Sequence, residues 1–302
     1  MLNTKLTIQK IEFPLHGDII RGTLYLPESA NTAQLPAVVL AHGWAMTAGG
    51  DLENYAAIIA EHNIACLTID FRNLGASTGQ PRQHLDPFQQ IEDIRSAIDY
   101  LQQRPEIDKT RIGIWGSSYA GGHVISVAGI DFRVKAAVSQ VPTISGYRAK
   151  EQTLTQEKLI ERTQSLTNAR LQRQSGIDTA TIQTVSNKGE PCAYPDEASY
   201  SYMSKQAEVC PNWKNHTTVA SLDLAQTYEP NSYIYRITHT AFLMIIADND
   251  TTTPTNLQEE AFNKIPSSNK KLISLPGGHY SVYEENFEKS SKQAAEWFAQ
   301  NL

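Results

Sequence analysis

The alternation of hydrophobic and polar residues near the start of the chain predicts a β-hairpin. Hydrophobic and polar side chains alternate, with interruptions, from Leu6 to Phe13 and again from Ile19 to Leu26, and a His16-Gly17-Asp18 turn lies between the two runs. A period of two is typical of a strand with one buried face, and a short segment containing glycine suits the turn. The chain is therefore expected to begin with two antiparallel strands.

Six short, predominantly apolar runs follow, of which 37–41 is wholly apolar, and helical periodicity fills most of the segments between them. Such runs are typical of strands that are covered on both faces. Strands that alternate with helices predict βαβ units and a mostly parallel sheet with helices on both faces. The predicted buried strands are 37–41, 65–70, 111–115, 134–139, 241–247 and 271–275.

Residues with capping side chains stand at the start of the predicted helices. Asp and Ser side chains accept hydrogen bonds from the free amides of a first turn, and proline fits the first helical position. The predicted opening residues are Asp51, Asp86 with Pro87, Thr253 with Pro254, and a capping box from Ser281 to Glu284. A further helix is predicted from Ser118 to Ala128.

The alternating pattern is interrupted between residues 142 and 240. This stretch is polar and helix-prone, with breaks at Gly176, at Gly189 and at 191–195, and it holds seven of the 13 tyrosines. We interpret residues 1–141 and 241–302 as the core domain and residues 142–240 as an inserted helical cap. The cap tyrosines and Trp213 either line a substrate pocket or pack the cap onto the core, and the sequence leaves both alternatives open.

Composition narrows the class of protein. The formal net charge is −6, so the composition does not indicate a protein that binds nucleic acid. The sequence contains no run of about 18 apolar residues, so no membrane span is predicted. The polar stretch from Met1 to Lys10 lacks the apolar segment of a signal peptide, so a cytoplasmic protein is expected. The sequence makes no prediction of the oligomeric state.

The three cysteines and the histidines do not form a pattern of metal ligands. Cys66 lies in an apolar run and is expected in the core, whereas Cys192 and Cys210 are expected as reduced thiols, although they could pair. No Cys/His cluster has zinc spacing and no acidic segment resembles a calcium loop. We therefore expect neither a metal nor a cofactor.

A candidate nucleophile stands where the apolar run 111–115 meets a predicted helix. A nucleophile elbow needs small residues two positions before and two positions after its serine, because its turn brings strand and helix close together. Centring the elbow on Ser118 places Gly116 and Ala120 at those positions, whereas centring it on Ser117 would place two large aromatic residues there. Ser118 is therefore the predicted nucleophile.

The expected base and acid lie late in the chain. A serine hydroxyl needs a neighbouring base, and among the eight histidines His279 stands in a glycine-rich loop between the last predicted strand and the last helix. The strand 241–247 ends in a loop with two aspartates, of which we prefer Asp250 as the acid over Asp248. The order Ser118, Asp250, His279 is the chain order of the nucleophile-elbow hydrolases.

Two backbone amides are expected to stabilise the oxyanion. One belongs to Tyr119, the residue after the predicted nucleophile, and the other to Trp44, in the loop after the first buried strand. Gly43 would let this loop turn sharply. For His42 we expect a structural role in orienting the loop.

These motifs together resemble those of the α/β-hydrolase superfamily. His42-Gly43-Trp44, the segments 70–79 and 116–122, Asp250 and Gly278-His279 span most of the chain and are similar to the dienelactone-hydrolase-related branch, which includes bacterial esterases and fungal polyketide transferases. Dienelactone hydrolases have a cysteine as nucleophile, so Ser118 argues against a dienelactone substrate. The resemblance implies the α/β-hydrolase fold and a bracing role for Asp70 and Arg72.

The predicted function is hydrolysis of a small-molecule carboxylic ester through a Ser-His-Asp triad and an acyl-enzyme. A thioesterase, an acyltransferase or a peptidase would use the same residues. A catalytically inactive binding protein with the same fold is the remaining alternative.

Overall fold

The computed structural model describes residues 5–31, 33–175 and 180–302. Strands β1 (Leu6–Leu15) and β2 (Asp18–Pro27) form an antiparallel hairpin. Its two-residue turn has positive φ angles, 51° at His16 and 89° at Gly17, which suits the tight hairpin turns that match the twist of the strands. The predicted hairpin is confirmed.

One eight-stranded sheet forms the centre of the molecule. Its strand order is β1-β2-β4-β3-β5-β6-β10-β11, and every neighbouring pair from β4 to β11 is parallel. The predicted mostly parallel sheet is confirmed. The strands that follow the hairpin are β3 (Leu35–Ala41), β4 (Ala65–Asp70), β5 (Ile107–Ser117), β6 (Val134–Gln140), β10 (Ala241–Ala247) and β11 (Lys270–Leu275).

Helices cover both faces of this sheet and bury two separate apolar clusters against it. Ile94, Val124 and Leu257, one from each of three helices, share the cluster on one face. Tyr55 and Phe298, from two further helices, belong to the cluster on the other face. The helices are α2 (Pro87–Gln102), α3 (Tyr119–Ala128) and α8 (Thr255–Asn263) on the first face, and α1 (Asp51–Ala60) and α9 (Phe287–Asn301) on the second.

Three predicted helix starts differ from the structure. The helix α8 begins at Thr255 rather than at Thr253-Pro254, and the hydroxyl of Thr253 bonds the carboxylate of Asp250 instead of capping the helix. Gly50 precedes α1, and the carboxylate of Asp51, instead of capping the helix, accepts hydrogen bonds from Tyr202 and Gln206 of the insertion. The helix α9 begins at Phe287 rather than at Ser281. The hydroxyl of Ser281 donates to the carbonyl of Gly278 because residues 280–286 form turns that follow the histidine loop. In contrast, Asp86 caps α2 as predicted.

Residues 142–240 connect the neighbouring strands β6 and β10. Besides helices they contain a small three-stranded sheet, which the sequence pattern did not predict. The predicted break at Gly176 lies outside the described residues. The elements are α4 (Gly146–Thr153), α5 (Gln156–Gln174), β7 (Thr181–Val185), β8 (Cys192–Tyr194), α6 (Glu197–Val209), β9 (Thr217–Thr218), α7 (Val219–Gln226) and the 3₁₀ helix Pro230–Arg236.

The last part of this insertion lies against α3. A Cβ at Gly122 would lie 2.8 Å from Cγ of Pro230, and one at Gly129 would lie 2.8 Å from the carbonyl oxygen of Tyr233. Ile234 is buried in the same apolar cluster as α3. In the part of the chain that the structure describes, no helix combines the length and the apolar character needed to cross a membrane.

Candidate active site

Ser118 lies in a tight turn between β5 and α3. Its φ of 57° and ψ of −116° are uncommon for a residue with a side chain and mark local backbone strain. The turn brings Gly116 so close to α3 that a Cβ there would lie 2.4 Å from the carbonyl oxygen of Ala120. The smallness of the residue at 116 is therefore a steric requirement, as the sequence argument assumed.

His279 bridges Ser118 and Asp250. Its Nε2 lies 3.0 Å from Oγ of Ser118, and its Nδ1 lies 2.7 Å from Oδ2 of Asp250. His279 and Asp250 are buried, whereas Ser118 is partly exposed. The arrangement leaves the hydroxyl accessible while the imidazole and the carboxylate are withdrawn from water.

The carboxylate of Asp250 is held by several hydrogen bonds. Oδ1 accepts the backbone N–H groups of Thr252 and Thr253, each at 2.9 Å, and Oδ2 accepts the hydroxyl of Thr253 at 2.8 Å. Burial raises the pKa of Asp250, but the neighbouring His279 and these hydrogen bonds outweigh burial, so that the pKa lies below its usual value. The carboxylate is therefore ionised and fixed in orientation.

Asp248, the alternative acid, lies elsewhere. It is exposed, and its Oδ1 accepts hydrogen bonds from the side chain of Asn249 and the backbone N–H of Gly277. It therefore fixes the turn that leads to the histidine loop.

The other serine of the elbow has a different environment. The hydroxyl of Ser117 lies 2.5 Å from the hydroxyl of Tyr283 instead of beside His279. His123, the histidine nearest in sequence, is fully buried between Tyr228 and Gln90 and contacts both through its ring nitrogens. Burial lowers the pKa of His123 to about 3, so its ring is neutral.

The two predicted oxyanion donors lie on either side of the nucleophile. Tyr119 is the first residue of α3, and the N–H groups of a first helical turn have no acceptor within the helix. On the other side, Gly43 approaches so closely that a Cβ there would lie 3.2 Å from Cβ of Ser118. The rings of Trp44 and Tyr119 contact each other edge to face, with centroids 4.9 Å apart.

Hydrogen bonds brace the loop that carries Trp44. Asp70 accepts the N–H of Ala48 at 2.7 Å through one carboxylate oxygen and the N–H of Ala76 at 2.8 Å through the other. Nδ1 of His42 contacts the carbonyl oxygen of Gly43 at 3.0 Å. These contacts agree with the bracing roles expected for Asp70 and His42.

Arg72 braces the neighbouring segment through a buried ion pair. Its Nε lies 2.6 Å from Asp93 and its Nη2 lies 2.6 Å from Glu92, both on α2. Arg72 and Asp93 are almost fully shielded from water. The ion pair attaches the segment that follows β4 to α2.

Thr253 is a site residue that the sequence argument did not assign. Its hydroxyl lies 2.8 Å from Oδ2 of Asp250, 3.1 Å from Nδ1 of His279 and 2.9 Å from the carbonyl oxygen of Val141. The three threonines that follow Asp250 were a usable signal, because Thr side chains and amides in an Asp turn commonly bond the carboxylate.

Two cavities adjoin the elbow. The serine cavity, of about 580 Å³ including space open to solvent, is lined by Ser118 and His279 and by aromatic rings from both the core and the insertion. The lysine cavity, of about 690 Å³ on the same measure, contains Lys150. Trp44 and Tyr194 line both cavities, and their ring centroids are 6.3 Å apart.

The tyrosines of the insertion do not share one role. Tyr194 and Tyr202 line the serine cavity. Tyr228 is buried against His123, and Tyr235 is exposed to solvent. Trp213 packs in a satellite apolar cluster with Tyr202.

Known proteins resemble this chain over nearly its whole length. The profile of the family described as X-Pro dipeptidyl-peptidase (S15 family) matches residues 16–281. The thiohydrolase aneE of Aspergillus aculeatus is 31% identical over 286 residues, which are 93% of this chain and 89% of the relative. The polyketide transferase claH of Penicillium crustosum is 24% identical over 97% of both chains.

Solved structures support the same fold. The crystal structure of the alpha/beta hydrolase GrgF from Penicillium sp. sh18 superposes with a TM-score of 0.83, over 98% of this chain and 99% of that one. At 23% identity this similarity establishes the fold alone. The predicted α/β-hydrolase fold is thereby confirmed.

Proposed function

The chain belongs to the X-Pro dipeptidyl-peptidase (S15) family, and from that premise we propose that it is a serine hydrolase that cleaves carboxylic esters through an acyl-enzyme. The observation that carries the proposal is the hydrogen-bonded series from Ser118 through His279 to Asp250, with contacts of 3.0 and 2.7 Å. A hydroxyl on a strained turn beside a carboxylate-oriented imidazole is the arrangement that nucleophilic acyl transfer needs.

The proposed acylation begins at Ser118. Its Oγ attacks the ester carbonyl and forms a C–O bond while Nε2 of His279 takes the hydroxyl proton. The carbonyl π electrons move onto the oxygen, which the N–H groups of Trp44 and Tyr119 stabilise. When the intermediate collapses, the C–O bond to the leaving alcohol breaks and His279 returns its proton to that alcohol. Asp250 stays ionised and stabilises the imidazolium.

Deacylation repeats the sequence with water as the nucleophile. Water attacks the acyl carbonyl as His279 takes one of its protons, and the acid departs as the proton returns to Oγ of Ser118. The reaction needs no metal and no redox cofactor, because every proton is exchanged with one imidazole.

A second candidate, thioester cleavage or acyl transfer, has specific support. The relatives are named a thiohydrolase and a polyketide transferase, and the former is 31% identical. A peptidase activity is the alternative that the family description suggests. The same triad would serve all three, so the leaving group and the acceptor decide among them.

We also propose the domain boundaries and the cellular location that were inferred from the sequence. Residues 142–240 form the cap, and residues 1–141 and 241–302 form the core. A cytoplasmic location is proposed because Cys66, Cys192 and Cys210, all within the described ranges, are unpaired, as is usual in a reducing compartment. The relation to the dienelactone hydrolases stays a prediction.

The test is a panel of substrates that differ in the bond to be cleaved: an ester, a thioester and an anilide. We expect turnover of p-nitrophenyl butyrate, and we measure in parallel the butyryl thioester of N-acetylcysteamine and an X-Pro p-nitroanilide. Products are analysed with and without an acceptor alcohol to separate hydrolysis from transfer. Preference for the thioester or the anilide would replace the ester proposal by the corresponding alternative.

Two variants test the assigned nucleophile. Ser118→Ala should lose on the order of 10⁶-fold in kcat, as when the serine of another triad is removed, and should no longer react with a fluorophosphonate probe. Ser117→Ala is the matched control and should keep both properties. Wild-type protein that neither turns over substrates nor reacts with the probe would point to an inactive binding protein.

A further inference from the structure

Two cationic side chains face the lysine cavity. Lys150 from α4 and Arg162 from α5 are both half-buried and both line this cavity. The rest of the lining is largely apolar or uncharged, with Ile144, Leu222 and Leu257 among its members. A pair of positive charges in such surroundings requires an explanation.

Neither Lys150 nor Arg162 has an ionic partner within the described ranges 5–31, 33–175 and 180–302. Other cations of the same two helices do: Arg148 pairs with Glu260, and Arg173 lies 3.5 Å from Asp223. In addition, Nε of Arg162 is buried and has no hydrogen-bond acceptor among the described residues. Lys158 of α5 also lacks an ionic partner among the described residues, but it is exposed to water, whereas Lys150 and Arg162 are half-buried.

The two charges also oppose each other. Burial lowers the pKa of Lys150, and the nearby guanidinium of Arg162 lowers it further. Asp196 partly offsets this effect, but its carboxylate accepts hydrogen bonds from the N–H and hydroxyl of Ser199. Half-buried like charges without a counterion cost free energy, which a bound anion would return.

The cations are connected to the elbow by a row of aromatic rings. Nζ of Lys150 lies 5.9 Å from the ring centroid of Tyr194. The Tyr194 ring contacts Trp44 edge to face, and Trp44 in turn contacts Tyr119. The lysine cavity therefore begins beside the residues whose amides are the proposed oxyanion donors.

A third cavity continues beyond the cations toward the surface. This outer cavity, of about 790 Å³ including space open to solvent, lies along α4 and α5. Lys150 and Arg162 line both it and the lysine cavity, together with Gly146 and Gln226. The cations thus stand between the surface of the insertion and the interior of the site.

We propose that Lys150 and Arg162 form a subsite for an anionic group, a carboxylate or a phosphate, on the substrate whose acyl carbonyl reacts at Ser118. This inference rests on the proposed function, since it names the substrate class of the same site. The planar guanidinium and the ammonium would donate hydrogen bonds to the anion, which are stronger than those to a neutral group. The anion belongs either to the acyl part or to the leaving group.

Two pairs of substrates distinguish these sources. The first pair is the mono-p-nitrophenyl ester of adipic acid and its methyl ester, which differ by one terminal negative charge on the acyl part. The second pair is the hexanoyl thioesters of 4′-phosphopantetheine and of pantetheine, which differ only by the phosphate of the leaving group. We expect the charged member of one pair to have the higher kcat/KM, and that pair identifies the source.

Neutralising the cations should abolish this discrimination. Lys150→Gln and Arg162→Gln should each lower the ratio of kcat/KM for the charged over the neutral member by on the order of 10-fold, since a hydrogen bond to a charged group contributes at this level. Lys150→Arg should retain most of the ratio. Lys158→Gln, which removes an exposed cation of α5, is the matched control and should leave the ratio unchanged.

A binding measurement separates this inference from the proposed function. In Ser118→Ala protein, calorimetry compares monomethyl adipate with dimethyl adipate, and likewise 4′-phosphopantetheine with pantetheine. Preference for a charged ligand that is lost in Arg162→Gln supports the subsite even if wild-type protein turns over no ester. Turnover without any charge preference, in catalysis or in binding, would overturn the subsite and leave the proposed function intact.

Discussion

Replacing Asp250 by asparagine should disable the base while leaving the fold in place. Oδ1 of Asp250 accepts two backbone N–H groups at 2.9 Å, so the amide oxygen of the introduced asparagine has to occupy that position. The amide NH₂ then faces Nδ1 of His279, where Oδ2 now lies at 2.7 Å. Because the NH₂ group donates, Nδ1 must accept, and the proton of the ring moves to Nε2.

The size of the effect follows from this tautomer. With a proton on Nε2, His279 cannot accept the proton of Ser118, whose Oγ lies 3.0 Å away. An equivalent change in another triad lowers kcat by about 10⁴-fold. At about 1.4 kcal/mol for each factor of ten, this loss corresponds to roughly 5.5 kcal/mol of transition-state stabilisation.

The assay is the steady-state hydrolysis of p-nitrophenyl butyrate by wild-type protein, Asp250→Asn and Asp248→Asn. Asp248 is the matched control, because it is exposed and an asparagine there can still accept the N–H of Gly277. We expect a change of less than about threefold in this control. Circular dichroism and cooperative unfolding in urea establish that all three proteins are folded.

One result would refute the reasoning. If Asp250→Asn keeps kcat within tenfold of wild type while Asp248→Asn loses activity, Asp250 is not the residue that sets the tautomer of His279. The 2.7 Å contact would then be structural, and the acid would have to be sought at Asp248.

Three further predictions concern stability. Gly116→Ala should destabilise the fold by about 1–3 kcal/mol in urea unfolding, because its Cβ would lie 2.4 Å from the carbonyl oxygen of Ala120. Arg72→Met should cost about 3–5 kcal/mol, since it leaves the buried carboxylate of Asp93 without its partner. The pKa of Asp250 is depressed in the folded protein. The stability that the ionised carboxylate contributes is therefore present above the pKa of Asp in the unfolded chain, about 3.9, and is lost as the pH falls through the lower pKa of the folded protein. The stability difference between wild type and Asp250→Asn should therefore shrink as the pH is lowered below about 4.

Each stability prediction has a control. Lys292→Met removes an exposed ion pair with Glu296 and should cost less than about 1 kcal/mol, in contrast to Arg72→Met. Gly278→Ala is the control for Gly116→Ala, because neither glycine has a positive φ and a Cβ at Gly278 would lie 3.9 Å from its nearest neighbour, the carbonyl oxygen of Asn249; it should cost less than about 1 kcal/mol. A stability difference for Asp250→Asn that stays constant from pH 7 to pH 3 would contradict the depressed pKa.

Much of the core was predictable because its determinants are local. Apolar runs gave β4 and β10 at their observed bounds, since a strand buried on both faces has few polar positions. The choice of Ser118 over Ser117 rested on the need for a small residue two positions before the nucleophile. In the structure Gly116 lies so close to Ala120 that a larger residue would clash. The preference for Asp250 over Asp248 agrees with their different surroundings, although the catalytic roles remain predictions.

The misses have non-local causes. Residues 281–284 match the capping-box pattern, but in the structure they form the turns that follow His279, and the helix begins only at Phe287. Asp51 resembles an N-cap until Tyr202, which is far away in sequence, hydrogen-bonds to it. Lys150 and Arg162 lie on polar helices where cations are expected at the surface, and only the packing of the insertion onto the core turns them inward.

The parallel pairing of β6 with β10 limits how this protein could exchange specificity with its relatives. Since neighbouring parallel strands begin at the same edge of a sheet, the chain that leaves β6 at Gln140 must run back along the length of the strands before β10 begins at Ala241. The segment from Pro230 to Arg236 makes that return along α3. An insertion transplanted from a relative would therefore have to end before Pro230. Chimeras can change the residues of the insertion that line the site only if they keep the segment from Pro230 to Arg236 of the recipient protein.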